Sequence, residues 1–266
     1  MKIVDGFNRE QIFEKIPERV VSMIPCVTET LFEFGAQDKI AGITDFCIFP
    51  EGKVDKITRI GGPKNVKMDV IDNIKPDLIF MDPEENTLAD FQILEKKYPI
   101  FVVNVKNIID STNFIKKIGE IFENENKALK AINQILNKYK QIRSKYSESQ
   151  RKKVLILLWK NPYVVPGNST YINNLAFDCG LDNVFKDESG YFNVDNKRIL
   201  NSSPDMIFLP DEPYSFSEKD EKELGDLFSN SGLFPKIKQV DGTYLCWYGI
   251  RTQKALDYFD KLVSET

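Results

Sequence analysis

The sequence predicts an α/β fold of two similar lobes, each built on a parallel central sheet, with one long helix between them. Short β-branched runs alternate with helical stretches along the chain, which is typical of parallel sheets. Pro76-Asp77 before the apolar run 78–81 is echoed by Pro204-Asp205 before the run 206–209, and this echo indicates two related halves. Between the halves, residues 126–147 carry apolar side chains at helical spacing without Pro or Gly, which predicts a helix on the order of 30 Å long.

The first half opens with a strand, a sharp turn and a helix. Arg19 to Ile24 is a β-rich run, Pro25 and Cys26 interrupt it, and a helix is predicted from Thr28 to just before Gly35. Further strands are predicted at 40–43, 78–81 and 100–105, and further helices at 69–74, 88–97 and 110–122. Because parallel strands bring their carboxyl ends to one edge, the polar tips that follow them mark where ligands bind in open α/β sheets.

The second half repeats this order of elements. A strand at 154–159 precedes Gly167-Asn168-Ser169, which is predicted to cap a helix that ends at Gly180. After the strand at 206–209, Ser217 and Asp220 predict a capping box for a helix over 218–228. A strand near 239–240 and a helix over 252–264 complete the chain.

Composition indicates a folded and soluble chain. The 266 residues are 42 % hydrophobic and 29 % charged, and no window reaches the roughly 18 apolar residues that a spanning helix needs. A net charge of −4 leaves no basic footprint for nucleic acid. The first twenty residues hold no apolar signal core, so the expected location is cytoplasmic as written, or periplasmic or at the cell surface if a signal peptide has been removed. The scattered cysteines favour a reducing compartment.

The chain contains no histidine. This removes the commonest general base and the commonest metal ligand, and it excludes Ser-His-Asp triads, Cys-His dyads and His-ligated haem. Catalysis is therefore a poor first hypothesis, and we predict neither a catalytic nor a metal-ligating residue.

Aromatic side chains gather at the predicted strand tips and are candidate walls of a ligand site, because they bury a large area at low entropic cost. They are Trp159, Tyr163, Tyr171, Trp247 and Tyr248. Phe46 and Tyr214 are further candidate ligand contacts, in the polar tips at 44–47 and 210–216. The alternative for each of them is an ordinary place in the core.

Polar groups at the same tips are candidate rim contacts. They are Glu84, Glu85, Asn86, Asp211, Glu212 and Arg251. The carboxylates either hydrogen-bond the amide groups of a ligand or bind a cation, or they form a solvated acidic loop. The arginine either binds a propionate or phosphate bidentately or caps a helix.

The tips of the first two strands supply further candidates, namely Cys26, Thr28, Asp45 and Cys47. Cys26 precedes the predicted helix N-terminus, where the helix dipole is expected to lower its pKa. Each cysteine at the sheet edge, Cys246 included, is either a thiolate ligand or a small buried apolar group.

Several stretches form a recognisable set: RVVSMIPCVTETLFEFGAQDKIAGIT, the pair Gly61-Gly62, IKPDLIF, the long central helix and PGNSTYINNLAFDCGLDNVF. Over nearly the whole chain they resemble the helical-backbone periplasmic binding proteins, also called class III, and the vitamin B12 receptor type is nearest in pattern. The resemblance implies two Rossmann-like lobes, residues 1–124 and 149–266, joined by a rigid helix over 125–148. It also implies a large organic metal chelate held in the cleft between the lobes.

The expected function is to bind a cobalamin-like corrinoid or related metal chelate, as the substrate-binding protein of an ABC importer or as a soluble carrier. The chelate is then cargo and not an intrinsic cofactor. Alternatives are a haem or ferric-siderophore binding protein, and a corrinoid-processing enzyme, for which no GxGxxG or Walker A motif is present. Without histidine, cobalamin is expected to keep its own lower base, and haem to bind through Tyr or Cys.

The resemblance also implies one docking carboxylate in each lobe for arginines of the importer. Asp69 takes that place in the first half, whereas Lys197 takes it in the second. Since one charge is reversed, docking to a B12-type importer is expected to be weak. We expect a monomer without a nucleic-acid partner.

Overall fold

A computed structural model describes residues 1–146 and 151–265, which form two compact units. The N-terminal unit comprises Met1–Val105, Ile109–Gln134 and Tyr248–Arg251, and the C-terminal unit comprises Lys106–Ile108, Ile135–Trp247 and Thr252–Thr266. The domain boundaries predicted at residues 124 and 149 stay a prediction, and residues 147–150 lie outside the described residues.

The N-terminal unit is built on a parallel sheet. Its strands are β1 Lys2–Val4, β2 Glu10–Ile12, β3 Val20–Ser22, β4 Ile40–Ile43, β5 Thr58–Arg59, β6 Gly61–Gly62, β7 Asn65–Val66, β8 Leu78–Met81 and β9 Ile100–Val102. Five of them form the parallel sheet in the order β5-β4-β3-β8-β9, while β1 pairs with β2, and β6 with β7, as antiparallel hairpins. The predicted α/β class with parallel sheets is confirmed.

The helices up to residue 146 are α1 Pro25–Glu33, α2 Met68–Ile74, α3 Leu88–Leu94, α4 Ile108–Ile121 and α5 Glu125–Arg143. The prediction that α1 begins at Thr28 is wrong, because proline suits the first helical position, where its missing N–H costs nothing. Cys26 therefore lies inside the first turn. The long helix α5 ends at Arg143, and the predicted end at residue 147 or 148 lies outside the described residues.

The core of the N-terminal unit joins its sheet to its helices. Val21, Ile79 and Val102 of the sheet pack with Ile71 of α2 and Leu94 of α3, all of them buried. Each buried aliphatic side chain of this kind contributes about 1.5–3 kcal/mol to stability. The regular core leaves the loops at the strand ends to carry function.

The C-terminal unit repeats the plan with a four-stranded sheet. Its strands are β10 Lys152–Ile156, β11 Tyr163–Pro166, β12 Leu181–Asn183, β13 Tyr191–Val194, β14 Met206–Pro210 and β15 Lys236–Val240. The parallel sheet has the order β12-β10-β14-β15, and β11 pairs with β13 as a separate antiparallel ribbon. The helices are α6 Tyr171–Asp178, α7 Asn196–Asn201, α8 Glu218–Ser229, α9 Gly242–Cys246 and α10 Thr252–Ser264.

Two predicted helix starts have different outcomes. The capping box of Ser217 and Asp220 at α8 is confirmed. The start of α6 is capped by Thr170 and not by residues 167–169, because Gly167 and Asn168 are paired with main-chain groups of Gly190. The core of this unit includes Leu155 and Ile207 of the sheet together with Leu224 and Phe228 of α8.

The repeated Pro-Asp pair has the same role in both units. The Asp77 carboxylate accepts the main-chain N–H groups of Glu18 and Arg19 at 2.9 and 2.8 Å, just before β3. The Asp205 carboxylate accepts the N–H of Lys153, in β10, at 2.8 Å. Each aspartate stands just before its own strand, β8 or β14, and thus ties the start of that strand to the start of the neighbouring strand, β3 or β10. Among the described helices, none is long and apolar enough to cross a membrane.

Candidate functional site

Loops at the carboxyl edge of the N-terminal sheet are joined by one amide side chain. Asn86 Oδ1 accepts the N–H of Asp82 at 2.9 Å, and Nδ2 lies 3.3 Å from the carbonyl of Met23 and 3.4 Å from that of Pro63. Asn86 is buried. The side chain predicted to contact a ligand is therefore occupied in holding three loops together.

The loop after β4 presents two apolar side chains to solvent. Phe46 and Ile48 are 56 % and 49 % exposed, whereas Cys47 between them is buried. The Phe46 ring lies against Gly62, where a Cβ atom would come within 3.4 Å of the ring. Asp45 is exposed too, and its N–H donates to the Gly61 carbonyl at 2.9 Å. We call Phe46 and Ile48 the apolar tip. Ile48 was missed from the sequence, although its alternation with Phe46 around Cys47 would have indicated it.

Thr28 and Cys47 lie beneath this loop. Thr28 Oγ1 is 2.9 Å from Ser22 Oγ and 3.2 Å from Cys47 Sγ, and Thr44 Oγ1 is also 3.2 Å from that sulfur. Burial raises the pKa of Cys47, so it is a neutral thiol. Both residues, predicted as ligand contacts, are internal supports of the loop.

A buried polar cluster lies behind the loop that follows β8. Tyr248 Oη donates to Asp82 Oδ2 at 2.7 Å, and the N–H of Glu84 donates to Asp82 Oδ1 at 2.7 Å. Burial raises the pKa of Asp82 to about 7, these hydrogen bonds oppose the rise, and the charges of Glu85 and Glu84 add to it. Tyr248 was predicted as an aromatic wall, but it is buried and bonded here. Asp82 was not among the predicted site residues.

Cys26 belongs to the same cluster. Burial raises its pKa well above the ordinary value, and the nearby charges of Asp82 and Glu85 raise it further. The prediction of a lowered pKa is wrong, because burial outweighs the dipole at the start of α1. Glu84 is half-buried and Glu85 is exposed, so these two carboxylates form the accessible rim of the loop, next to Lys64, which donates to the Glu84 carbonyl at 3.0 Å.

Arg251 is occupied by an internal ion pair. Its Nε and Nη2 donate to the Glu29 carboxylate at 2.7 and 2.8 Å, and the guanidinium lies 4.1 Å from the centroid of the Phe49 ring. Arg251 is buried. Its buried position beside Glu29 differs from the exposed rim position considered for it. Phe49 is half-buried beside the apolar tip and was not predicted.

The carboxyl edge of the C-terminal sheet carries a row of aromatic rings. Trp159 is 44 % exposed, its ring meets Tyr214 edge-on at 5.6 Å, and Tyr214 meets Phe216 at 4.7 Å. Tyr163 is half-buried against the core. The Tyr214 ring packs on Phe216 and the core and supports the Trp159 ring, while both Trp159 and Tyr214 stay partly accessible to solvent. Beside them, Lys160 is neutralised by Asp220 and Glu223.

The other predicted contacts of this unit are mostly internal. Tyr171 is buried with its Oη 3.1 Å from Thr252 Oγ1, and Trp247 is buried too. Asp211 is exposed while its Oδ1 accepts the N–H of Gly242 at 2.7 Å. Glu212 is half-buried, and its main chain approaches Gly242 so closely that a Cβ there would lie 2.4 Å from the Glu212 carbonyl oxygen.

The accessible side chains at the sheet edges are thus mainly apolar or aromatic, and exposed carboxylates lie beside them. In residues 1–146 and 151–265, no three His, Cys, Asp or Glu side chains are arranged as a metal site.

Comparison with known proteins identifies relatives of the chain. Residues 20–233 match the model of the periplasmic binding protein family. An uncharacterized ABC transporter substrate-binding lipoprotein of Bacillus subtilis is 26 % identical over 219 residues, which are 79 % of this chain and 68 % of the relative.

Solved structures share the fold. The periplasmic vitamin B12 binding protein of Vibrio cholerae superposes with a TM-score of 0.78 at 19 % identity, covering 94 % of this chain and 98 % of that one. A periplasmic haem binding protein of Pseudomonas aeruginosa gives a TM-score of 0.78 at 16 % identity, covering 92 % of each chain.

Proposed function

The chain belongs to the periplasmic binding protein family, as a substrate-binding protein of the ABC transporter type, and we propose that its substrate is a cobalamin-like corrinoid. The observation that carries the proposal is the pair of accessible surfaces at the carboxyl edges of the two sheets. One is the apolar tip, and the other is the ring of Trp159 on Tyr214. Rigid apolar and aromatic groups with few polar contacts beside them suit a large flat ligand.

The charges at these edges favour a neutral or cationic chelate. Asp45 and Glu85 are exposed in the N-terminal unit, where Lys64 is the one cation described beside this rim, and Asp211 is exposed in the C-terminal unit. Such carboxylates accept hydrogen bonds from the peripheral amides of a corrinoid. They repel the carboxylates or catecholates of a polyanionic siderophore complex, since like charges at a contact cost several kcal/mol.

Haem is the second candidate, and the state of the cysteines weighs against thiolate ligation. Cys26 and Cys47 are buried, and burial raises the pKa of both. Because histidine is absent, we propose that cobalamin binds with its own lower base in place. The chelate is then transported cargo, and we propose binding without chemical conversion. The fold shared with periplasmic proteins and the likeness to a lipoprotein support the exported location and not the cytoplasmic one.

Importer docking is a separate part of the proposal. Asp69 in α2 and Lys197 in α7 are both exposed. We propose that Lys197 weakens docking to a B12-type importer by repelling an arginine. Lys197→Glu should then tighten binding to such an importer in nanodiscs, whereas Lys219→Glu, the same charge change on an exposed side chain of α8, should not. Nanomolar docking of the wild-type protein would contradict this.

A fluorescence titration tests the ligand assignment. Cobinamide or cyanocobalamin should quench Trp159 with one-to-one stoichiometry, and Trp159→Ala should weaken affinity by about 2 kcal/mol, or roughly thirty-fold. Phe234→Ala is the matched control, because Phe234 is an aromatic residue of the same unit with 81 % exposure. Equal losses in both variants, or no quenching of the wild-type protein, would refute the proposal.

A further inference from the structure

Arg59 braces the loop that carries the apolar tip. It stands at the end of β5, and its Nη1 donates to the carbonyls of Thr44 and Cys47, each at 2.9 Å. Nη2 lies 3.4 Å from the carbonyl of Val54. One guanidinium thus connects three main-chain acceptors of a segment that has no strand or helix of its own.

The geometry of the turn explains why the guanidinium of an arginine is suited to this position. Thr44 and Cys47 are the two ends of the turn that exposes Phe46, and the turn itself is closed by one main-chain bond, from the N–H of Cys47 to the carbonyl of Thr44 at 3.1 Å. A guanidinium is planar and holds several donors at fixed angles, and hydrogen bonds from a charged donor are stronger than neutral ones. Arg59 therefore fixes both ends of the turn at once.

We propose that Arg59 is a positioning residue for ligand binding, which it serves through the apolar tip and not by touching the ligand. The inference rests on the proposed function of that tip. With the arginine in place, Phe46 and Ile48 are ordered before the ligand arrives, so their ordering is not a cost of binding. Without it, the main-chain bonds of Asp45 and Cys47 and the contacts of the Cys47 thiol remain, but the guanidinium no longer holds the two ends of the turn, so the ligand must order more of the loop.

The test compares Arg59→Ala with Arg59→Lys and with Arg19→Ala. Arg19 is the matched control, since its Nε also donates to a main-chain carbonyl, that of Lys75 at 2.9 Å, just before the amino end of β3. We expect Arg59→Ala to weaken cobinamide affinity about ten-fold, with partial rescue by lysine and less than two-fold change in the control.

A double-mutant cycle separates positioning from general damage. In a Phe46→Ala, Ile48→Ala background, Arg59→Ala should cost almost no further affinity, because the groups that it positions are gone. Hydrogen exchange without ligand gives an independent readout, as the amides of Asp45 and Cys47 should exchange faster in Arg59→Ala and not in Arg19→Ala.

The outcomes are distinct. If the wild-type protein binds and Arg59→Ala binds equally well, or if the two losses simply add, the positioning role is refuted. Unchanged exchange at Asp45 and Cys47 would refute it with or without a ligand. Wild-type protein that binds none of cobinamide, cyanocobalamin and haemin refutes the proposed function instead, and with it the ligand role of Arg59.

Discussion

Replacing Asp82 by Asn should remove a pH-dependent loss of stability. The Asp82 carboxyl has its pKa raised from 3.8 to about 7, chiefly by burial. Between these values the folded protein holds a proton that the unfolded chain has lost, so the free energy of unfolding falls as the pH rises toward 7 and levels off above it. Between pH 5 and pH 8, the free energy of unfolding falls only over the roughly two pH units that lie below the raised pKa. The total fall is about 3 kcal/mol.

Asparagine retains an oxygen that can accept the Tyr248 hydroxyl and carries no charge to bury. The assay is urea unfolding of wild type and Asp82→Asn at pH 5 and pH 8. Between pH 5 and pH 8, the free energy of unfolding of the variant should rise by about 3 kcal/mol relative to that of wild type. Asp45→Asn, which changes an exposed carboxylate of a neighbouring loop, should show no such gain. If the difference in free energy of unfolding between wild type and variant is the same at both pH values within about 0.5 kcal/mol, Asp82 is already ionised at pH 5. That result would contradict the burial argument.

Three further outcomes are expected. Glu29→Gln should lower the free energy of unfolding by about 3–5 kcal/mol in urea titrations, because it leaves the Arg251 charge buried without its partner; a loss below 1 kcal/mol would contradict the internal ion pair. Gly249→Ala should lower the thermal midpoint, since Gly249 has φ of +74° and a Cβ would lie 2.4 Å from Thr30 Oγ1, and an unchanged midpoint would contradict that close approach. Raising the salt from 0.05 to 0.5 M should weaken binding of cationic cobinamide in calorimetry, and stronger binding would reverse the sign assigned to the rim.

The periodic signals of the chain predicted the fold well. The alternation of strands and helices predicted the class. The Pro-Asp echo corresponds to two aspartates with the same hydrogen-bonding role: Asp77 accepts a main-chain N–H just before β3, and Asp205 accepts one in β10. Helix ends were less predictable. Pro25 reads as a break in a one-dimensional pattern, yet it is a favourable first residue of α1.

The site was only partly predictable, because a residue at a strand tip can face either way. All four of these aromatic residues were candidate ligand contacts, yet Trp159 and Phe46 are accessible whereas Trp247 and Tyr248 are buried. Nothing in the local sequence distinguishes these cases. Burial depends on contacts distant in sequence, such as the bond from Tyr248 to a carboxylate 166 positions earlier. The same dependence on distant partners hid the bracing role of Arg59, whose acceptors come from irregular main chain with no sequence signature.

The most direct test of the substrate assignment is calorimetry of the purified protein with chelates of opposite charge. Cobinamide and cyanocobalamin should each bind with one-to-one stoichiometry, and a ferric tricatecholate should give no binding heat at the same concentrations. Tighter binding of the tricatecholate, or no heat with either corrinoid, would contradict the account.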